Sequence, residues 1–286
     1  MENNDESVCE NNFNRNLDMK KILVPTDFTP LSDHALSFAC QIALQMKYEI
    51  FLLSVQSLPA NDDANMAIEL IKTIQEASEE KLHSAAEITR EQHKGVVITT
   101  HFAFGIPAMT VKEFLESGEF DLVIMGTKGS HGVDRFLFGS VAESVSKHSP
   151  CPVIIVHADT VYKPVKHIAV PIDINYKFGE SHHIIHKIVE LAEIFKAELS
   201  WFYVNTDKNQ EQDDIYYMLE AGKKIDIEII NASTVEKGIA AFCDSSTNDL
   251  LLIIKRDYGL VEQLFQRNIF AEILQKQSLP IMVVHY

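Results

Sequence analysis

At 286 residues the chain is longer than the 100 to 200 usual for one domain, so two domains of about 140 residues are expected. Its 46% hydrophobic and 23% charged residues exclude wholesale disorder and fibrous repeats. Lys and Arg number 25 against 41 Asp and Glu; the net charge of -16 repels phosphate backbones, so neither a nucleic acid nor an anionic membrane is expected as a partner.

The longest apolar runs, such as Leu250 to Ile254 and Val153 to Val156, are strand-sized, far short of the ~18 residues of a spanning helix. The four cysteines (Cys9, Cys40, Cys151, Cys243) lack CxxC spacing, and residues 1–18 are acidic and Asn-rich without the basic and apolar regions of a signal peptide. A soluble, cytoplasmic protein with reduced thiols is expected, its first 18 residues forming a disordered acidic tail.

Ile22-Leu23-Val24, closed by Pro25-Thr26-Asp27, predicts a strand, and Ala35, Ala39, Ile42, Ala43 and Met46 predict the helix after it. Ile50 to Val55 is the second strand. The polar stretch from about Asp62 to His93 carries Ile71, Ile74, Leu82 and Ala85 on one helical face. Val96 to Phe102 is the third strand, and Gly105-Ile106-Pro107 opens a helix through Val111, Phe114 and Leu115, with Pro near its start. Asp121 to Met125, a Gly-rich loop, a helix from about Val141 to His148 and the strand Val153 to Val156 complete the half. Strands alternating with helices imply a parallel sheet covered on both faces.

The pattern then restarts. Ile168-Ala169-Val170-Pro171-Ile172-Asp173 echoes Ile22 to Asp27 at a shift of 146. Asp249 to Ile253 matches Asp121 to Met125, and Pro280 to Val284 matches Pro152 to Val156, both at a shift of 128. The second copy is therefore 18 residues shorter in its middle, and Asp207 to Asp226 is where the loss falls, in place of the long second helix. Domains over 19–158 and 166–286 follow, joined by a short linker from about Ala158 to Lys166. The strands Val153 to Val156 and Ile281 to Val284 would leave open sheet edges, and pairing them would make an internal pseudo-dimer.

The most informative stretch is Gly126-Thr127-Lys128-Gly129, nine residues, then Gly139-Ser140. Three glycines and a Ser or Thr at fixed spacing arise by chance in roughly one in a hundred chains of this length. Gly126 follows a buried strand and Gly139-Ser140 precedes a helix, at the sheet edge where open α/β folds bind ligands. Glycine lets backbone N–H groups approach a phosphate, and the helix N-terminus adds a favourable dipole.

With Pro25-Thr26-Asp27, these residues resemble the universal stress protein family, in its nucleotide-binding branch marked by G-x2-G-x9-G-[ST]. The resemblance covers nearly the whole chain and implies two tandem Rossmann-like (adenine nucleotide alpha hydrolase-like) α/β domains. Each would be an open five-stranded, mainly parallel sheet with helices on both faces. It also implies ATP, alone or with Mg, as the ligand of the first domain. Asp27 would contact ribose or a metal held by the phosphates, Val55 would bond adenine through its backbone, and Gly126, Gly129, Gly139, Ser140 and Val141 would hold the phosphates; Pro25, Thr26 and Met125 complete the set.

The same residues also fit purely structural roles. Ser140-x-x-Glu143 reads as a capping box, Asp27 as the cap of the turn before Ser32, and the glycines as tight turns. In the second copy Ile254, Asp257, Arg267 and Asn268 stand at the motif positions, so a phosphate would meet a carboxylate and that half is expected to be nucleotide-free. Lys128, His131 and Arg135 lie inside the loop, within reach of a terminal phosphate or simply solvated. His182, His183 and His186 flank the apolar stripe of Ile185, Ile188, Val189 and Ala192 and read as a polar face, with no partner spaced to complete a metal site.

No catalytic constellation stands out; hydrolysis, if any, is expected to be slow. The expected function is nucleotide-dependent signalling or protection in the stress response, against a protein-interaction module that binds no nucleotide. Protein partners are unknown, with a homodimer open as well.

Overall fold

A computed structural model describes residues 21–59, 64–127, 139–172, 182–207, 215–218, 224–245, 247–255, 273 and 279–285. The chain divides into two compact units, the first ending at Ala158 and the second beginning at Asp159.

The first unit runs β1 (Lys21–Thr26), α1 (Pro30–Met46), β2 (Glu49–Gln56), α2 (Ala64–Gln92), β3 (Val97–Phe104), α3 (Pro107–Glu116), β4 (Leu122–Gly126), α4 (Ser140–His148) and β5 (Val153–Val156). Its strands lie in the order β3-β2-β1-β4-β5, with every described pairing parallel. Covered on both faces, the central strands carry unbroken apolar runs: Ile22, Leu23, Val24, Leu122, Val123 and Ile124 are all fully buried.

Helix α1 shows why these residues stop and start where they do. Thr29 caps it by accepting the Ser32 N–H, and Pro30 occupies the first turn, where a missing N–H costs nothing. Lys47 ends it in the left-handed region at φ 61°, donating its N–H to the Ala43 carbonyl. Ala35, Leu36, Ala39, Ile42 and Ala43 form the buried face against the sheet.

The second unit runs β6 (His167–Ile172), α5 (His182–Phe195), β7 (Glu198–Asn205), β8 (Ile215–Met218), β9 (Lys224–Asn231), α6 (Val235–Ser245), β10 (Leu250–Lys255) and β11 (Ile281–His285), in the sheet order β11-β10-β6-β7-β9-β8. The five strands implied by the repeat are present. A sixth, β8, pairs antiparallel with β9 at the edge. It lies between β7 and β9, within the shortened interval and at the position held by the 29-residue α2 in the first unit.

Both units are closed by the same device at the amino end of the sheet. Asp121, just before β4, takes the Lys21 N–H on its carboxylate at 3.3 Å, and its own N–H donates to the Lys21 carbonyl. Asp249, just before β10, takes the N–H groups of Lys166 and His167 at 3.0 and 3.1 Å and donates to the His167 carbonyl. The match between Asp121 and Asp249 in sequence thus has a structural cause.

Among the described residues no helix is long and apolar enough to cross a membrane.

Candidate functional site

The strand order reverses between β1 and β4, which makes their carboxyl ends a topological switch point, where open α/β sheets leave a crevice. Pro25 and Thr26 end β1 with Asp27 just after it, Val55 lies at the end of β2, and Met125 and Gly126 end β4. Gly139, Ser140 and Val141 open α4. The sequence candidates from four elements therefore share one sheet edge. Gly129, Lys128, His131 and Arg135 lie outside the described residues.

Thr127 sets the mouth of the loop. Its N–H donates to the Val156 carbonyl at 3.1 Å, and its own carbonyl accepts the Gly139 N–H at 2.6 Å, so the chain leaves and returns at adjacent points. Helix α4 begins there with Gly139 as its N-cap residue, which has no side chain with which to cap it. This corrects the capping-box expectation: Ser140 is the first helical residue, exposed, and Glu143 bonds Lys147 at 2.5 Å rather than reaching back. A helix N-terminus with an exposed hydroxyl and a glycine as its N-cap residue is chemically suited to an anion.

Gly126 has another cause. A Cβ there would lie 2.7 Å from Leu31 Cγ and 3.3 Å from the Leu31 carbonyl oxygen, so this glycine is required by the close approach of β4 to the first turn of α1. It does not by itself speak for a ligand.

The Asp27 carboxylate is held in place. Its Oδ1 accepts the Thr29 N–H at 3.2 Å and the Thr29 hydroxyl at 2.6 Å, while Thr29 itself caps the helix. Asp27 therefore caps the turn before Ser32, as the structural alternative has it, while Thr29 caps the helix. Phe28 between them adopts φ 60°, uncommon for a bulky side chain, with its N–H on Thr26 Oγ1. Burial, and then the Asp27 charge, hold the neighbouring Asp33 carboxyl above its ordinary range.

Val55 follows from strand geometry. In a parallel ladder successive residues turn their backbone groups to alternate neighbours. The Gln56 carbonyl faces β3, where it accepts the Gly105 N–H at 2.9 Å, so the Val55 carbonyl faces the β1 side. The last β1–β2 pair is Thr26 with Ser54, and β1 has ended before Val55 is reached. Ser54, beside Thr26, was missed in the sequence: it is fully buried, and its hydroxyl has no hydrogen-bond partner. A lone Ser in the apolar run Phe51 to Val55 was the available signal.

In the second unit Ile254 is buried within β10, while Asp257, Arg267 and Asn268 lie outside the described residues. His186 is exposed on α5, where Ile184, Ile185, Ile188 and Ala192 are buried. Among the described residues no group of three or more His, Cys, Asp or Glu could hold a metal ion.

A sequence model of the universal stress protein family matches residues 19–157. Universal stress protein MJ0531 of Methanocaldococcus jannaschii is 37% identical over 143 residues, covering 48% of this chain and 81% of that protein. The chain belongs to the universal stress protein family. A solved universal stress protein from Archaeoglobus fulgidus DSM 4304 shares the fold over 93% of this chain and 96% of its own, with TM-score 0.64 and 20% identity. The functionally unknown protein PA1789 of Pseudomonas aeruginosa PAO1 does so over 93% and 92%, with TM-score 0.55 and 17% identity. Those two likenesses establish the Rossmann-like α/β fold over both units of this universal stress protein.

Proposed function

We propose that the first unit of this universal stress protein binds ATP across the carboxyl ends of β2, β1 and β4. The observation that carries the reading is the start of α4, a helix N-terminus at the switch point with an exposed Ser140 and a glycine, Gly139, as its N-cap residue. Phosphates would lie there, against the N–H groups of Ser140 and Val141 and the glycine at 129. The Val55 carbonyl would accept the adenine amino group, since nothing on β1 remains to pair with it. Asp27, fixed by two bonds from Thr29, would meet the ribose between them or Mg carried by the phosphates. The buried Ser54 hydroxyl, without a partner beside Thr26, is consistent with a polar ligand at this edge.

The activity is binding. The Asp27 carboxylate is engaged with Thr29 and poorly placed to activate water. Its role would be nucleotide-dependent signalling or protection in the stress response, with the second unit contributing no nucleotide site because Asp257 replaces the second motif glycine.

Isothermal titration of the full chain with ATP should give one site per chain, abolished by Gly129→Asp with unchanged circular dichroism. Two equivalent sites, or retained affinity in the variant, would overturn the reading. Complete absence of binding, with no nucleotide released from the natively purified protein by mass spectrometry, would favour the interaction module.

A further inference from the structure

Phe28 holds a backbone conformation that suits few residues of its size. At φ 60° a bulky side chain crowds its own backbone, and glycine or asparagine is the ordinary occupant of such a position. The backbone on either side is tied. The Phe28 N–H donates to Thr26 Oγ1 at 3.1 Å, and Asp27 Oδ1 reaches past the residue to accept the N–H and hydroxyl of Thr29. Those bonds would form equally well around a glycine, so they account for the turn and leave the aromatic ring unexplained. Strained residues of this kind gather at functional sites.

The ring has a partner on α2. Lys81 Nζ lies over it, 5.8 Å from the centroid, within the range at which an ammonium is attracted to an aromatic face. The 29 residues of α2 span about 43 Å against about 26 Å for the eight-residue strands β2 and β3, and its buried residues, Ser78, Leu82, Ala86 and Thr89, all belong to its second half. Lys81 sits in that anchored half. Core packing at Ser78 and Leu82 therefore fixes its backbone, while its exposed side chain reaches the turn that follows β1.

The second copy has the carboxylate without these holders. At the shift of 146, Asp173 stands at the place of Asp27, but Ile174 and Asn175 replace Phe28 and Thr29, and β8 takes the position of α2. The ring is thus missing from the same copy that lacks the motif glycines.

We propose that Phe28 and Lys81 are a positioning pair for the nucleotide site: the ring, pinned from α2, keeps the turn of residues 27–29 closed and holds the Asp27 carboxylate in the orientation that meets the ligand. This rests on the reading that the first unit binds ATP. Neither residue of the pair has to touch the nucleotide.

Titration of the full chain with ATP in excess Mg tests the pair through Lys81→Met, Lys81→Arg, Phe28→Gly, Asp27→Asn and the double variant of Lys81→Met with Asp27→Asn. Lys81→Met should bind about threefold more weakly, the size of an exposed cation–π contact, with an unchanged melting curve. Lys81→Arg, whose guanidinium also lies over a ring, should bind as the unaltered chain does. Phe28→Gly, which permits the same φ and removes the ring, should lose at least as much as Lys81→Met. In the Asp27→Asn chain Lys81→Met should cause no further loss, because the pair acts only through that carboxylate. Unchanged affinity in Lys81→Met or in Phe28→Gly would overturn the proposal. So would a threefold loss that persists in the Asp27→Asn chain, since Lys81 would then act on the ligand itself. An unaltered chain that binds no ATP would overturn both this proposal and the reading beneath it, whereas binding that ignores Phe28 and Lys81 would sink this one alone.

Discussion

Gly126 and Leu31 touch across the gap between β4 and α1, leaving no room for a methyl group on the glycine. Gly126→Ala should cost about 1 to 3 kcal/mol of unfolding free energy, the range for overpacking a tight core. Leu31→Ala in the same chain should recover part of it, though the Leu31 carbonyl remains close. Urea denaturation of the two single variants and the double variant checks this, and simple additivity would show that the two residues do not compete for the same space.

The second unit offers a parallel case. A Cβ on Gly238, in α6, would lie 2.3 Å from Val204 Cγ1 and 2.7 Å from Cγ2, in β7. Alanine raises helix propensity by about 1 kcal/mol, but the clash should outweigh that gain. Gly238→Ala should therefore lower the melting temperature, and Val204→Ala combined with it should lose less than the two single losses together.

The Asp33 carboxyl titrates above its ordinary value because burial opposes its charge and Asp27 repels it. Asp27→Asn should move the midpoint down while leaving it raised, since burial is the larger cause. Side-chain carboxyl NMR across pH 2 to 7 reads this directly; a midpoint unmoved by the substitution would mean that the two charges do not communicate. The native state holds this proton more tightly than the unfolded chain does. Its contribution is present below the ordinary Asp value of 3.8 and lost as pH rises through the raised one.

Burial pushes the thiols of Cys40, Cys151 and Cys243 up to about 12. At pH 8 they carry almost no thiolate, so in a Cys9→Ser chain the folded protein should resist Ellman's reagent, and denaturant should release three reacting thiols. Rapid labelling of the folded chain would contradict this. Because the folded values are raised, the stabilising contribution is complete below the ordinary thiol value of 9.0 and falls as pH climbs from there through about 12. Alkaline titration of the melting temperature should show that decline.

Much of the fold was legible because apolar runs bounded by Pro, Gly and Asp carry local information. Ile22 to Val24, Leu122 to Met125 and their echoes in the second half announce buried parallel strands without reference to anything distant. What was illegible depends on contacts far apart in sequence. Gly126 looks like a loop glycine until Leu31, 95 positions earlier, is placed against it. Ser140-x-x-Glu143 has the side chains of a capping box, yet the backbone enters the helix one residue earlier, at Gly139, and no sequence pattern fixes that choice. The apolar periodicity of α2 was visible, but periodicity assigns a face and cannot say how far the sheet extends beneath it. Ile71 and Ile74 were expected on the same face as Leu82 and are only half-buried, since the strands are too short to reach them.

The carboxylate closures at Asp121 and Asp249 separate what holds each sheet together from what carries the motif. Each unit anchors its framework at the amino edge of the strands, through bonds to the start of β1 or β6, while the motif residues sit at the opposite edge. The first unit carries glycines at the motif positions where the second has Ile254, Asp257 and Arg267, yet both have the same closure. A change at the motif edge of either unit therefore leaves the amino-edge bonds untouched, so that losing a ligand need not cost the unit its sheet.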